Sequence, residues 1–441
     1  MKDAQGLSMT AASAAAVAGY DNAIQGYLKY RADTPLRLQA ALAQDPEAPM
    51  LRVAQGCFTL LGHKAAGLPV VRDALAVARR ASGATAREQA HVAALAAWAE
   101  NDVTQALRIW RQILGEYPHD ILAFRLHHFV AFWAGRPDWM REAVDRVQPA
   151  WSNALPGYGS VLACRAFAEE ECGAYTSAEA AGREAIALDP ADLWAAHAVA
   201  HVLEMQGRRG EGIAWIAGLE QHWEGGNTLM HHLWWHRAMY HLERQEWPQV
   251  LGLYDSRFRN LASPVTQAAP DLYIDVQNAA SMLFRLGLHQ VHVGDRWTEL
   301  ADKAEARLGD HLNPFTLPHW MMALAATKRW DAAGRMREAL RADPAAQVRE
   351  VALPVCEGAM RHGRGDFAGA VAAMRPVLQR MYQLGGSHAQ QDVLEQLYLD
   401  SAVKAGLQAD GRMLLERVAG RHPVPPARRL GYAAAAKELR F

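Results

Sequence analysis

Tyr175-Thr-Ser-Ala178-Glu-Ala-Ala-Gly182-Arg-Glu-Ala-Ile-Ala-Leu-Asp-Pro190 reads as one helix that stops at a proline, with a small residue twelve positions before the stop. The same spacing returns from Ala106 to Pro118 and from Ala332 to Pro344. The small residue lets a second helix approach closely and the proline starts the next unit, so each segment is the second helix of a helical hairpin. A bulky residue stands four beyond the alanine as Trp110 and Met336, whereas Gly182 departs from that pattern. Tyr175 supplies an aromatic three positions before the alanine, and Trp247 holds the same place before Val250 in a weaker copy. The three alanines lie 72 and 154 residues apart, close to two and to four or five units of a period of about 34 residues. With degenerate units between them, about eight to eleven hairpins stacked side by side are expected.

The remainder of the chain agrees with a nearly all-α reading. Val, Ile and Thr rarely alternate with polar residues, while Ala, Leu, Glu, Arg and Gln fill segments of about 12 to 16 residues broken at Asp-Pro, Tyr-Pro or Gly. No linker-like tract divides the 441 residues, so a single helical-repeat domain is expected over 1–441: N-terminal helices over 1–85, repeats over 86–345, and C-terminal helices with a cap over 346–441. Lys plus Arg number 46 against 47 Asp plus Glu, which leaves no basic footprint for nucleic acid. Cys57, Cys164, Cys172 and Cys356 form no CxxC pair and read as buried, reduced thiols of a cytoplasmic protein. The Ala-rich stretch from Ser8 to Gly19 follows Asp3 rather than a cationic start and runs directly into Tyr20–Tyr30, so it reads as the first helix, not a leader. No uninterrupted apolar run approaches the ~18 residues of a membrane span.

The hairpin pattern resembles the tetratricopeptide repeat superfamily, and within it the tetratricopeptide repeat protein 38 family, nearly end to end. The carriers are Arg87-Glu-Gln-Ala-His91-Val, Val199-Ala-His201-Val-Leu-Glu204-Met205, Trp235-His236 with Tyr254-Asp255, Ser281-Met-Leu-Phe-Arg-Leu286, and Gly385-Gly-Ser-His-Ala-Gln390-Gln-Asp392-Val. The resemblance implies a right-handed α-solenoid of tetratricopeptide-like hairpins, tightly curled around a central groove or pocket. It brings no settled activity with it, so the chemistry must come from the residues.

His197-Ala-Val-Ala-His201-Val-Leu-Glu204 sets two imidazoles and a carboxylate along one helix face. Leu193, Trp194, Ala198, Val199, Val202 and Leu203 already supply apolar sides, leaving the polar stripe surplus to packing. If Leu193 opens a repeat, the stripe occupies positions that line the concave surface in proteins this chain resembles, and His232 and Trp235 follow in the next first helix. His128, His236, Asp275, His319 and Asp392 fall in further blocks of the family pattern, and Asp271 with Asp275 reads as an i, i+4 carboxylate pair.

Three readings of this constellation stand open. In the first, His197 and His201 ligate Zn or Fe with His236, His232 or a carboxylate as the third ligand, although the glutamate follows both histidines instead of lying between them as in HExxH. In the second, His197, His201, Glu204 and Asp275 perform metal-free acid/base catalysis, with His128, His232, Trp235, His319 and Asp392 binding substrate. In the third, the histidines and tryptophans only fill the interior; nineteen histidines and fourteen tryptophans are many for that purpose. Ser281 and Ser387 lack a GxSxG elbow, and Ser387 is better explained as an N-cap. His292, His311, His362 and His422 read as surface or loop residues. The expectation is a small-molecule hydrolase or lyase; the alternative is a scaffold that clasps a short peptide or protein in its groove. A homodimer is a further expectation, with neither nucleic acid nor membrane as partner.

Overall fold

The computed structural model describes all 441 residues and contains 24 α-helices and no strand; two isolated bridges, Lys2 to Ser8 and Arg31 to Gly226, are the whole of its β-type pairing. No helix is long and apolar enough to cross a membrane. The chain forms two compact units, Met1–Val202 with Gly218–Met230, and Leu203–Ala217 with His231–Phe441.

In the first unit, sequence-adjacent helices pair as hairpins: Ala14–Leu28 with Thr34–Gln44, Pro49–Leu60 with Leu68–Arg80, Ala86–Ala99 with Val103–Glu116, Ile121–Trp133 with Pro137–Val147, and Tyr158–Glu171 with Tyr175–Leu188. The short turns set the partners of each pair side by side, and each pair buries the rest of its apolar surface against the next hairpin. Ala106 and Ala178 are fully buried at the close approach and Trp110 fills the space four residues on, as the spacing predicts. Gly182 breaks the bulky pattern because Val199 occupies that space. A Cβ on Gly182 would stand 2.5 Å from the Val199 Cγ2 methyl.

In the second unit, Tyr273–Leu288 pairs with Arg296–Ala306, Thr316–Ala326 with Trp330–Arg341, Leu353–Gly363 with Phe367–Met374, and His388–Lys404 with Gln408–Arg421; Leu430–Glu438 is the last helix. The first helices stack in order, and the fourth returns to the first. At that junction Arg285 Nη2 donates to the Ala389 carbonyl at 3.1 Å. Because the stack closes on itself, Tyr273–Leu288, Thr316–Ala326 and His388–Lys404 are buried on nearly every face. Their polar residues must therefore satisfy one another inside the protein.

Three local expectations need correction. The first helix begins at Ala14, capped by Ser13, and residues 1–9 form a turn: the Asp3 carboxylate accepts from the Gln5 and Leu7 amides at 3.1 and 2.8 Å. That short acidic side chain competes with the helix for backbone donors. Cys172 is exposed at a helix end, whereas the other three cysteines are buried. Asp271 precedes its helix and pairs with Arg307 at 2.8 Å, so it does not share a helix face with Asp275.

Candidate functional site

In the first unit, Asp192 opens the Leu193–Met205 helix by accepting from the Trp194 and Ala195 amides, both at 2.9 Å. One turn apart on that helix, the Nε2 atoms of His197 and His201 lie 2.9 Å from each other, so one ring donates and the other accepts. Phe167 packs against both rings. Glu170 and Glu171, at the end of Tyr158–Glu171, join His201: one ligand atom from each of the three falls within 4.8 Å of the others, and all three are buried. Two carboxylates and an imidazole make a donor set of the kind Zn or Fe takes. The two glutamates escaped the sequence reading because they end a helix with an unremarkable acidic run. His128 packs edge-on against Trp194 at 5.9 Å. Burial, with the Arg125 charge adding to it, pushes its pKa well below the usual value, so the ring is neutral.

The second unit holds the other expected residues. On Leu229–Glu243, His231 Nδ1 meets Asp275 Oδ2 at 2.9 Å, and His232 Nδ1 donates to Asn278 Oδ1 at 2.9 Å. Trp235 is fully buried, and its ring stacks on His232 at 5.2 Å. His319 is also buried, its Nδ1 donating to the Phe315 carbonyl at 2.8 Å. Burial lowers the His319 pKa to about 4.

Glu204 differs from these residues because one side of it is open. Its Oε2 lies 2.7 Å from His236 Nδ1, while the rest of the carboxyl lines a cleft with about 60 Å³ of free space among Met205, Met239, Glu243, Asp392, His422 and Arg429. Burial raises the Glu204 pKa to about 8, with Arg285 opposing and Asp392 adding, and burial alone lowers His236 to about 3. Both shifts favour the neutral forms. The protonated carboxyl donates to Nδ1, which leaves the imidazole proton on Nε2.

Across the cleft, burial alone would raise the Asp392 carboxyl, but Arg429 and Arg285 outweigh it and hold it down to about 2. Asp392 accepts from Arg429 at 2.5 Å, Tyr432 Oη at 2.5 Å, Gln396 at 2.5 Å and Arg285 at 3.4 Å. Arg209 with Glu243 at 2.5 Å and Arg421 with Glu395 at 3.1 Å complete the ion pairs of the wall. Of the four carboxyls on the cleft, Glu204 with its raised pKa and Asp392 with its lowered one set a proton donor beside a fixed negative charge.

Arg429, Glu243 and His422 were not expected here. His422 was read as a surface or loop residue; it does lie in a loop, but the loop folds back over the cleft, and burial with the Arg429 charge lowers its pKa to about 4. The basic connector from Arg421 to Arg429 was the only available signal.

Several blocks that carry the family resemblance have structural work to do. Arg87 Nη1 and His91 Nε2 both meet Asp120 Oδ2 at 2.8 Å, and the other oxygen of Asp120 caps Ile121–Trp133 through the Ala123 amide. Thr85 and Glu88 form a capping box, as do Ser387 and Gln390. Ser281 Oγ donates to the Asn278 carbonyl at 3.0 Å.

No protein-family model matches the chain. Among solved structures, the chain is similar to yeast Tom70 at 11% identity, covering 96% of this chain and 86% of that one, with a TM-score of 0.41. It is similar to the TPR domain of P58(IPK) at 12% identity, covering 81% and 99%, with a TM-score of 0.23. It is also similar to a chain of the Naa15/Naa10 complex bound to HypK at 12% identity, covering 96% and 67%, with a TM-score of 0.28.

Proposed function

We propose that the protein is a helical-repeat recognition module, which holds a protein or peptide partner by taking one of the partner's side chains into the cleft beside Glu204, Asp392 and Arg429. The observation that carries this reading is the cleft wall: ion pairs already formed, with Met205, Met239, Val418 and Val424 between them. Preformed pairs present a fixed pattern of charge without the entropy cost of ordering it on binding. Methionines adapt to irregular apolar surfaces. A free space of about 60 Å³ suits a single side chain. The deeper polar residues His231, His232 and His319 are engaged with Asp275, Asn278 and Phe315, which favours an interior role for them.

A second reading rests on Glu204. A carboxyl that keeps its proton near neutrality, bonded to His236 and open to a cleft, is equipped for general-acid chemistry on a small molecule, as in a hydrolase or lyase.

One experiment separates the two. A random peptide library is panned on the full chain, and enriched peptides are titrated against the wild type, Val424→Arg and Glu204→Gln, each checked by circular dichroism. Recognition predicts an enriched motif whose affinity falls about tenfold or more in Val424→Arg, which fills the cleft. Failure to enrich, or unchanged affinity in that variant, sinks it. If no motif emerges but a metabolite extract is turned over by the wild type and not by Glu204→Gln, the catalytic reading takes its place.

A further inference from the structure

We infer that a second cavity, on the first unit, is a binding site for a phosphate ester. It is a half-open hollow of about 240 Å³ lined by Gln25, Lys29, Arg31, Arg37, His222 and Trp223, with Asp189 as the one carboxylate on its wall. It lies among residues unrelated to the Glu204 cleft, so the two proposals stand or fall separately.

The cavity is built by two turns joined through their backbones. Past the end of Ala14–Leu28, Tyr30 adopts a left-handed conformation with φ 52°. Its carbonyl accepts from the Asn227 amide at 2.7 Å, and the Ala32 amide donates to the Gly225 carbonyl at 3.0 Å. Gly225 has φ 71°, a conformation that favours glycine. A Cβ there would stand 2.3 Å from Arg31 Nη2, so the tip of the guanidinium lies directly against the glycine. The Arg31 guanidinium is held against the loop by Nη1, which donates to the Glu224 carbonyl at 2.7 Å.

That placement decides the charge. Lys29 is paired with Asp189 at 2.8 Å, and Arg37 with Asp33 at 3.0 and 3.1 Å. Arg31 donates to a carbonyl, and Asp33, which feels its charge, is already bonded to Arg37; three cations, Lys29, Arg31 and Arg37, against two carboxylates, Asp189 and Asp33, leave a net positive charge at the cavity. A guanidinium fork is the group best matched to phosphate oxygens, and a flanking lysine and second arginine add to the attraction. The buried Trp223 ring supplies an apolar wall. The volume exceeds that of a phosphate ion, which leaves room for the organic part of an ester. Such an ester can belong to a soluble metabolite or to a lipid headgroup.

The test uses the full chain and isothermal titration calorimetry at constant ionic strength, with inorganic phosphate and phenyl phosphate as probes and chloride as the control. A parallel arm uses vesicles of phosphatidylcholine with and without phosphatidic acid. The wild type should bind phenyl phosphate saturably, or bind only the vesicles that contain phosphatidic acid. The first result assigns a soluble ester and the second a headgroup. Either binding should weaken about tenfold or more in Arg31→Gln and in Gln25→Glu, and should be unchanged in Arg72→Gln, which removes an exposed charge elsewhere. Gln25→Glu leaves Arg31 and its turn intact, so misfolding of that loop does not account for its loss. Absence of saturable binding in both arms, or equal binding by Gln25→Glu and the wild type, overturns the proposal.

Discussion

Glu204 and His236 respond to pH in opposite directions, and the signs follow from where each group is neutral. Glu204 holds its proton to about pH 8 in the folded chain against an ordinary value of 4.5. Its contribution to stability is therefore complete below about 4.5 and is lost as pH rises through 8. His236 is held down to about 3 from 6.5, so its contribution is complete above 6.5 and is lost as pH falls toward 3. Between pH 6.5 and 8 only the glutamate of this pair titrates. Urea unfolding should show the wild type losing about 2 kcal/mol more than Glu204→Gln across that interval; equal losses would mean that the carboxyl is already ionised. The i, i+4, i+7 spacing was legible in the sequence because one helix face is a local property. The ring that meets Glu204 was not, because His236 lies on a different helix 32 residues away.

Among the elements, the repeat depends on how closely the second helix of one hairpin meets the first helix of the next. Gly182 meets Val199 at such an approach, with 2.5 Å between a Cβ built on the glycine and the valine methyl. Gly182→Ala should raise helix propensity by about 1 kcal/mol, yet cost about 1 to 3 kcal/mol in overpacking, for a net loss of stability. Val199→Ala in the same chain should relieve the clash, so the double variant should be more stable than the two single changes added together predict. Additive losses would place the two side chains out of contact. The departure of Gly182 from the bulky pattern was visible in the sequence, but its cause was hidden: the residue that fills the gap is 17 positions away on the following helix. Helix starts were more legible. The capping boxes at Thr85 and Ser387 use residues three positions apart.

For the molecule as a whole, the return of His388–Lys404 to Tyr273–Leu288 is held by a buried carboxylate that gathers Arg285, Arg429, Tyr432 and Gln396. Asp392→Ala removes the carboxylate shared by the buried Arg285 and the half-buried Arg429 and should cost about 3 to 5 kcal/mol. It should also expose the segment from Arg421 to Phe441 to proteolysis before the rest of the second unit; cleavage rates equal to the wild type would show that the last helix is held by other contacts. The sequence by itself determined the helical class, the hairpin period, the buried small residues and several caps, because each depends on neighbours within one or two turns of helix or on spacing along one hairpin. Tertiary structure alone decided which polar residues face a cleft and which are sealed within the interior. That choice depends on the curl of the second unit, which brings residues more than a hundred positions apart, such as Arg285 and Asp392, into one electrostatic environment.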